Sequence, residues 1–292
     1  MKNIKTNIGL VGLGIIGSSI FRNINLTNYQ SQGFDIDKSC MDKFNSEGLK
    51  TTSSIDELIE NTSILITSLP SNQALDETIF AILSNDNSNV EAIIETSTLS
   101  PECKLRNEKK VSDHGIMMLD CPISGTGKQA ETGDIVLYAS GSKELYESVL
   151  PILKAFSREA FYMGKFGNGT KVKLIANLLV SIHNVASAEA IRLGLESGLD
   201  LNKLYDVIAS GAGTSKIFEL RAPMMIEGDY LPATMKMDVW KKDLKLIREM
   251  VNSYDIDSPL FKLTDDLYKE AEDYELEHLD TASIYELLKK KY

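Results

Sequence analysis

Short apolar runs alternate with segments of helical apolar spacing through the first half of the chain. The runs are short enough to be buried strands, and the spacing between them is that of helices that cover a sheet. This βαβ order predicts an α/β, doubly wound sheet. The predicted strands are residues 8–11, a strand ending near 35, 64–70, 92–98, a strand from 117, 135–141 and 160–163, and the helices are 15–24, 56–61, 74–83 and 143–156.

The second half of the chain is predicted to be helical throughout. From residue 172 to about 197, apolar positions recur with helical spacing for some seven turns, and Gly198 ends the helix. Three glycines at 164–169 mark a domain boundary just before it. The predicted helices that follow are 201–210, 217–225, 233–253, 260–274 and 281–290.

A glycine-rich hexapeptide follows the first predicted strand and opens the first predicted helix. This is the context that a dinucleotide-binding loop requires, with a tight turn, a close approach of backbone to a diphosphate, and close helix–strand packing. We therefore predict a Rossmann-type NAD(P)-binding domain over residues 1–164 and an all-α domain over 165–292, which begins with a long interdomain helix. The predicted cofactor-binding residues of the loop are Gly12, Leu13, Gly14, Ile15, Ile16 and Gly17.

An acidic residue at the end of the second strand predicts the choice of dinucleotide. Asp35 lies eighteen residues after Gly17, where a carboxylate accepts hydrogen bonds from the adenosine ribose hydroxyls. The same charge repels a 2′-phosphate and no arginine follows, so NAD is favoured over NADP. Lys38 leaves NADP possible, and Asp37 is an alternative ribose partner.

Three further loops are placed near the cofactor by the fold. Ligands of doubly wound sheets bind outside the carboxyl ends of the strands, so Leu69, Pro70, Ser97 and Thr98 are predicted to line that crevice. The glycine-rich loop at 122–127 offers backbone N–H groups and a serine hydroxyl, which suit a carboxylate.

Lys173 and Asn177 are four residues apart in the long predicted helix. That spacing places both on one face, where they can converge on one small molecule. Oxidising a hydroxyl requires a neutral base that accepts its proton, and a lysine with a lowered pKa can be that base.

Composition narrows the class of protein. The 292 residues are 43% apolar, which is ordinary for a globular chain, and the net charge of −11 argues against nucleic-acid or anionic-membrane partners. Three widely spaced cysteines suggest neither a disulfide framework nor a metal site, so we expect a reducing cytoplasm. No signal peptide and no apolar run long enough to span a bilayer are expected.

Four blocks of the sequence carry a family resemblance. They are the glycine loop at 12–17, Asp120 to Gly125 with Ala130 and Gly133, the Gly167 to Asn177 block with its lysine, and Lys242-Asp243-Leu244. In order and spacing they resemble the β-hydroxyacid dehydrogenase family. This family includes 3-hydroxyisobutyrate dehydrogenase, tartronate semialdehyde reductase and, more distantly, 6-phosphogluconate dehydrogenase.

The resemblance implies a role for each matching residue. Lys173 would be the catalytic acid or base and Asn177 would help to hold the substrate. The carboxylate would bind at the loop of Ser124, Gly125 and Thr126, Thr98 would contact the cofactor, and Lys242 would close over cofactor or substrate. The family usually has glycine where this chain has Thr126 and Gln129, which puts the substrate's identity in question.

We therefore predict a reversible, NAD-dependent oxidation of a small 3-hydroxycarboxylic acid by a homodimer or homotetramer. A decarboxylating sugar-acid dehydrogenase related to 6-phosphogluconate dehydrogenase is an alternative, as is an imine reductase of similar architecture. A non-catalytic NAD-binding module is an alternative of a different class. Intact lysine, asparagine and serine positions favour the enzyme.

Overall fold

The computed structural model describes residues 7–291. The chain divides into two compact units, of which the first ends at Lys173 and the second begins at Leu174. The expectation that no signal peptide is present falls on residues 1–6, which lie outside the described part.

The first unit is built on a mixed sheet of eight strands, in the order β2-β1-β3-β4-β5-β7-β6, with β8 paired to β7. The first five strands are parallel, whereas β7 runs antiparallel to β5 and β6. The strands are β1 (Asn7–Val11), β2 (Gln30–Phe34), β3 (Ile64–Thr67), β4 (Ala92–Glu95), β5 (Met117–Asp120), β6 (Ile123–Ser124), β7 (Val136–Gly141) and β8 (Glu159–Tyr162).

Helices connect these strands, as a parallel sheet requires. Four of them were predicted, but the helices at 38–46, 101–112 and 127–131 were not. The helices are α1 (Ile15–Asn25), α2 (Lys38–Ser46), α3 (Ile55–Glu60), α4 (Asn72–Ser84), α5 (Pro101–Ser112), α6 (Gly127–Glu131) and α7 (Lys143–Phe156).

Two apolar clusters form on the two faces of this sheet, because side chains alternate along a strand. On β3, Ile64 and Ile66 belong to one cluster and Leu65 belongs to the other. On β4, Ile94 and Ile93 divide in the same way. The carboxyl ends of β3, β4 and β5 therefore lie side by side at one edge of a rigid layer.

The second unit is helical. It contains most of α8 (Asn168–Glu196), followed by α9 (Leu201–Ala209), α10 (Lys216–Glu227), α11 (Met237–Ser253), α12 (Pro259–Glu270) and α13 (Ile284–Lys291). Two short 3-10 segments, Ala271–Tyr274 and Thr281–Ser283, replace parts of the predicted helices 260–274 and 281–290. The predicted helix 233–253 begins later, at Met237.

Helix α8 begins at Asn168, inside the glycine-rich segment that was predicted to be the boundary. It is long and apolar enough to cross a membrane by length and composition, so the expectation that no run reaches that length was wrong. Beyond Lys173, its asparagine side chains are buried and bonded within the second unit. For example, Asn184 donates to the Tyr268 hydroxyl and to the Thr281 carbonyl, both at 2.7 Å. These bonds are typical of the core helix of a folded unit.

Candidate functional site

The glycine loop between β1 and α1 has the geometry of a diphosphate cradle. A Cβ on Gly17 would lie 1.9 Å from the carbonyl oxygen of Gly12, and a Cβ on Gly12 would lie 2.2 Å from that of Ser68. A Cβ on Gly14 would meet no described protein atom within 4 Å. Packing therefore explains two of the glycines, while Gly14 faces open space at the N-terminus of α1, where an anion is favoured.

Asp35 lies directly beside this loop. Its carboxylate accepts hydrogen bonds from the Leu13 N–H at 2.6 Å and from the Asp37 N–H at 2.9 Å. Asp37, the alternative ribose partner, caps α2 by accepting from the N–H and hydroxyl of Ser39, and these bonds lower its pKa. Asp35 is thus the acid that is fixed to the predicted cofactor loop.

The loops after β3 and β4 are tied together. The Ser97 hydroxyl accepts from the Leu69 N–H at 2.7 Å, and the Thr96 hydroxyl donates to the Thr67 carbonyl at 2.7 Å. The Leu69 side chain is buried in the core, whereas Pro70 is exposed and Thr98 is half-buried. Leu69 can therefore offer a ligand only its backbone.

The predicted carboxylate loop lies against the glycine loop within the same unit. A Cβ on Gly127 would lie 2.6 Å from Cγ2 of Ile15, and Gly125 has a φ of +149° with its Cβ position filled by Ile135. Ser124, at the end of β6, is half-buried. A group bound at this turn would lie next to the start of α1.

The unusual residues of this loop have a structural role. The Thr126 hydroxyl accepts from the Gln129 N–H, while the Gln129 side-chain oxygen accepts from the Thr126 N–H at 3.0 Å. The pair forms a capping box at the start of α6. Both side chains are engaged with each other, so the loop's remaining polar side chain for a carboxylate is Ser124.

Lys173 and Asn177 lie one turn apart on α8. Lys173 is half-buried. Asn177 is 3% exposed, and its amide donates to Asp243 Oδ2 at 2.8 Å. Lys242, which is exposed, lies 3.9 Å from the other Asp243 oxygen. The structure therefore adds Asp243 as the group that orients Asn177, a role that the sequence had not revealed.

The comparisons with known proteins agree with this geometry. The family model described as the NAD binding domain of 6-phosphogluconate dehydrogenase matches residues 7–164. The model described as the NAD-binding of NADP-dependent 3-hydroxyisobutyrate dehydrogenase matches residues 167–288. The chain is 31% identical to an L-threonate dehydrogenase of Haemophilus influenzae over 87% of its own length and 85% of the relative's.

The chain belongs to the β-hydroxyacid dehydrogenase family. A glyoxylate/succinic semialdehyde reductase 2 of Arabidopsis thaliana is 29% identical over 97% of the chain and 79% of the relative. A 3-hydroxyisobutyrate dehydrogenase of Mycobacterium tuberculosis, solved with L-serine, shares the fold with a TM-score of 0.89 at 23% identity. That likeness covers 97% of this chain and 99% of the solved one.

This β-hydroxyacid dehydrogenase is an NAD(P)-dependent oxidoreductase of hydroxy acids. The predicted fold class, Rossmann-type followed by all-α, is confirmed. The residues at the glycine loop and at Asp35 fit the cofactor, because the Gly14 position is open and a carboxylate is fixed beside it. The comparisons favour the dehydrogenase over the decarboxylating and non-catalytic alternatives.

Sequence reasoning missed one charged cluster of this dehydrogenase. Lys104 of α5 is fully buried between Glu95 and Asp120, which are also fully buried. Burial by itself would lower the pKa of Lys104, but the charges and hydrogen bonds of the two carboxylates outweigh it and raise the pKa. Lys104 is therefore an ammonium ion inside the first unit. Its helix is polar, and nothing in the spacing predicts this burial.

Among the described residues, no group of three or more histidine, cysteine or acidic side chains could hold a metal ion. All three cysteines are free, and burial raises the pKa of the Cys121, Cys103 and Cys40 thiols. The cysteines therefore offer no reactive thiolate to the site.

Proposed function

We propose that this dehydrogenase acts on a small 3-hydroxycarboxylic acid with NAD as the preferred cofactor and Lys173 as the acid–base group. The observation that carries the proposal is the arrangement of the first unit. The glycine loop, the strand-end loops and the Ser124 turn belong to one rigid sheet, and α8 begins on that sheet five residues before Lys173.

Each residue has a distinct task. Ser124 and the backbone of Gly125 hold the substrate carboxylate, and Asn177, oriented by Asp243, holds the hydroxyl. In the oxidative direction neutral Lys173 accepts the hydroxyl proton, and in the reductive direction its ammonium returns it. A nicotinamide bound in this crevice would supply the hydride acceptor or donor for the substrate carbon. Thr98 and the backbone at Leu69 and Pro70 contact the cofactor, and Lys242 closes over the site.

The preference for NAD is supported by Asp35. Its carboxylate is held by two backbone N–H groups beside the glycine loop, so it cannot easily move away from a ligand. A 2′-phosphate would bring a second negative charge to the same place. Ile36 follows it and is 93% exposed, so no cation directly follows the carboxylate to offset that repulsion.

Small substrates are supported by the names of the relatives. They act, by name, on L-threonate, 3-hydroxyisobutyrate, glyoxylate or succinic semialdehyde, and 2-(hydroxymethyl)glutarate. The capping box of Thr126 and Gln129 also removes the reason to expect an unfamiliar substrate, because these side chains are bonded to each other.

A substrate panel tests the proposal. L-threonate, 3-hydroxyisobutyrate and 2-(hydroxymethyl)glutarate are offered with NAD and with NADP, and glyoxylate and succinic semialdehyde with each reduced cofactor. We expect turnover of at least one 3-hydroxy acid, with a higher kcat/KM for NAD. Turnover confined to the aldehyde acids would contradict the 3-hydroxy acid assignment, and a higher kcat/KM with NADP would remove Asp35 as the discriminating residue.

We also propose a homodimer or homotetramer in the cytoplasm. Large apolar side chains are exposed on the second unit, among them Leu193, Leu260 and Leu263 at 60–70%. Three free cysteines suit a reducing compartment. Sedimentation equilibrium measures the oligomeric state, and a monomer would contradict the proposal. Fractionation of cells that express the tagged chain tests the cytoplasmic location.

A further inference from the structure

The buried ammonium of Lys104 joins two strand ends of the first unit. Its Nζ donates to the Ser97 carbonyl at 2.6 Å and to Asp120 Oδ1 at 2.8 Å, and it pairs with Glu95. Three donors thus meet three acceptors, which is the full capacity of an ammonium group. Glu95 ends β4, Ser97 lies in the loop that follows it, and Asp120 ends β5.

Asp120 in turn binds the first turn of α8. Its two oxygens accept from the Thr170 N–H at 2.7 Å and from the Thr170 hydroxyl at 2.6 Å. The Ser140 hydroxyl donates to Asp120 at 3.1 Å and accepts from the Gly169 N–H at 2.9 Å. A Cβ on Gly169 would lie 2.0 Å from the Tyr138 carbonyl, so the helix start has no room to shift toward the sheet.

The cluster carries a net charge of −1, from one lysine and two carboxylates. The N-terminus of α8 offsets this charge, because Asp120 accepts from an N–H of its first turn. Buried ion pairs contribute little net stability compared with apolar residues of the same volume, since the charges must leave water. Stability alone is therefore a weak explanation for three buried charges at this place.

Lys173 follows Thr170 by three residues on the same helix. Residues at this spacing share a face, and helical side chains lean toward the N-terminus of their helix, which here is the turn that Asp120 holds. At the other end of the cluster, the Ser97 N–H donates to Glu95 at 2.9 Å and the Ser97 hydroxyl accepts from the Leu69 N–H. One continuous set of bonds connects the two cofactor-side loops to the turn below Lys173.

We propose that Lys104 is a positioning residue for the reaction. Through Asp120 and Thr170 it fixes the turn of α8 that carries Lys173, and through Ser97 it fixes the loop before Thr98. The distance between the acid–base group and the cofactor-side loops is thereby set inside the first unit. This inference rests on the proposed role of Lys173, and Lys104 itself touches neither substrate nor cofactor.

Thr170→Val tests the link at its mildest point, because it removes one hydroxyl and keeps the shape of the side chain. The single-turnover rate of hydride transfer, followed by reduced-nicotinamide absorbance with the best acid of the panel, is expected to fall about tenfold or more. The Kd for NAD and the KM for the acid are expected to stay unchanged. Thr170→Ser keeps the hydroxyl and is expected to restore the rate.

Thr78→Val is the matched control. Thr78 is also buried in the first unit, but its hydroxyl donates to the Ala74 carbonyl of its own helix at 2.8 Å. The hydride-transfer rate of Thr78→Val should equal that of the wild type. If Thr170→Val lost melting temperature but kept the wild-type rate, the cluster would be structural only and the inference would be wrong.

The lysine is tested by Lys104→Met combined with Glu95→Gln, which keeps the net charge of the cluster. We expect the same fall in hydride-transfer rate with an unchanged Kd for NAD. A folded double variant with the wild-type rate of hydride transfer would overturn the inference. If the double variant fails to fold, the comparison of Thr170→Val with Thr170→Ser tests the inference instead. A wild-type rate in Lys173→Ala would overturn the proposed function and this inference with it. A slow Lys173→Ala beside a normal Thr170→Val would overturn the inference alone.

Discussion

The three glycines of the β1–α1 loop are present for two different reasons. Gly12 and Gly17 lie where a Cβ would collide with backbone carbonyl oxygens, which cannot move without distorting the sheet edge. Gly14 lies where a side chain would meet no described protein atom. A glycine that packing does not require is best explained by a ligand that occupies the space.

The same substitution at two of these glycines should therefore act mainly on cofactor binding at Gly14 and mainly on stability at Gly17. Gly14→Val is expected to cost about 1 kcal/mol of stability, from a poorer helix N-cap, and to raise the Kd for NAD at least about tenfold. Gly17→Val should cost about 3 kcal/mol or more, because its Cβ would lie 1.9 Å from a backbone oxygen. For each variant, urea unfolding measures the loss of stability and NAD titration by fluorescence measures the Kd. Wild-type NAD affinity in Gly14→Val would show that the diphosphate binds elsewhere.

Lys173→Ala is the corresponding prediction for the chemistry. Loss of a general acid–base group is expected to lower kcat/KM by about 10² to 10⁴, with the Kd for NAD unchanged. Lys171→Ala, two residues earlier on the same half-buried turn, should retain wild-type kinetics. Steady-state rates with the best acid of the panel give both values, and equal losses in the two variants would show a general effect of helix charge.

At this scale the sequence was informative where the signal is local. The glycine loop and the Lys173–Asn177 spacing depend on residues only a few positions apart, so both could be predicted from the sequence. Lys104 and Asp243 gain their roles from burial against distant parts of the chain, at Asp120 and Asn177 respectively. The Thr126 and Gln129 capping box had a local signal, a Thr followed three residues later by Gln, that was interpreted as a substrate feature.

Among the elements, α11 and α12 are joined by a buried carboxylate. Asp265 is 4% exposed and accepts two hydrogen bonds from Arg248, at 2.7 and 2.8 Å, while Lys269 lies 2.8 Å away. Burial would raise the pKa of Asp265, but these cations and their hydrogen bonds outweigh it and lower the pKa below its usual range.

The ion pair of Arg248 and Asp265 predicts how stability changes at low pH. Because the folded pKa of Asp265 is depressed, its contribution to stability is present above the ordinary aspartate pKa of about 3.9 and is lost as pH falls through the lower folded value. Asp265→Asn should lower the free energy of unfolding by about 1–3 kcal/mol at pH 7. The gap from wild type should begin to narrow below about pH 4, where the carboxyl of the unfolded chain becomes neutral, and should close as pH falls through the lower folded pKa, where the native carboxyl becomes neutral too.

Asp266→Asn is the control for that prediction. Asp266 is the next residue and also lies near Lys269, at 3.2 Å, but its side chain is 60% exposed. Exposed pairs contribute about 0–1 kcal/mol, so its variant should unfold almost as the wild type does. Urea unfolding at a series of pH values distinguishes the two. A loss for Asp265→Asn that does not change with pH would mean that packing, and not charge, is responsible.

Element prediction failed where helices are polar or short. Helix α5 has a Ser100 cap and a proline at its first position, yet half of its residues are charged, and Cys103 and Val111 are its only buried apolar residues. Helix α2 buries only Met41 and Phe44. Apolar periodicity detects helices that bury a wide stripe, and these helices bury too little to give that signal.

For the whole molecule, the division into two units has a thermodynamic consequence. The predicted NAD contacts lie almost entirely in the first unit, in residues up to Thr98. A ligand that binds only the native state stabilises it, by about 2.7 kcal/mol at 100 times its Kd. NAD at that concentration should therefore raise the melting temperature of the first unit by several degrees.

Differential scanning calorimetry with and without NAD checks this expectation. If the two units melt separately, NAD should raise the melting temperature of the first unit alone. If they melt together, the single melting temperature should rise by a smaller amount, because the cooperative unit is larger. Gly14→Val, with a Kd at least about tenfold higher, should be stabilised by no more than about half as much at the same NAD concentration. An equal shift in that variant would mean that NAD acts through another place on the molecule.

Because Lys104 is buried, its chemical modification can report local opening of the first unit. A fully enclosed, protonated amine cannot meet a water-borne acylating reagent, whereas the exposed lysines react freely. Acylation at Lys104 would thus proceed only through openings that expose the core between β4 and β5. Mass spectrometry of the peptide that contains Lys104, recorded over time, would therefore measure how often this part of the core opens to solvent.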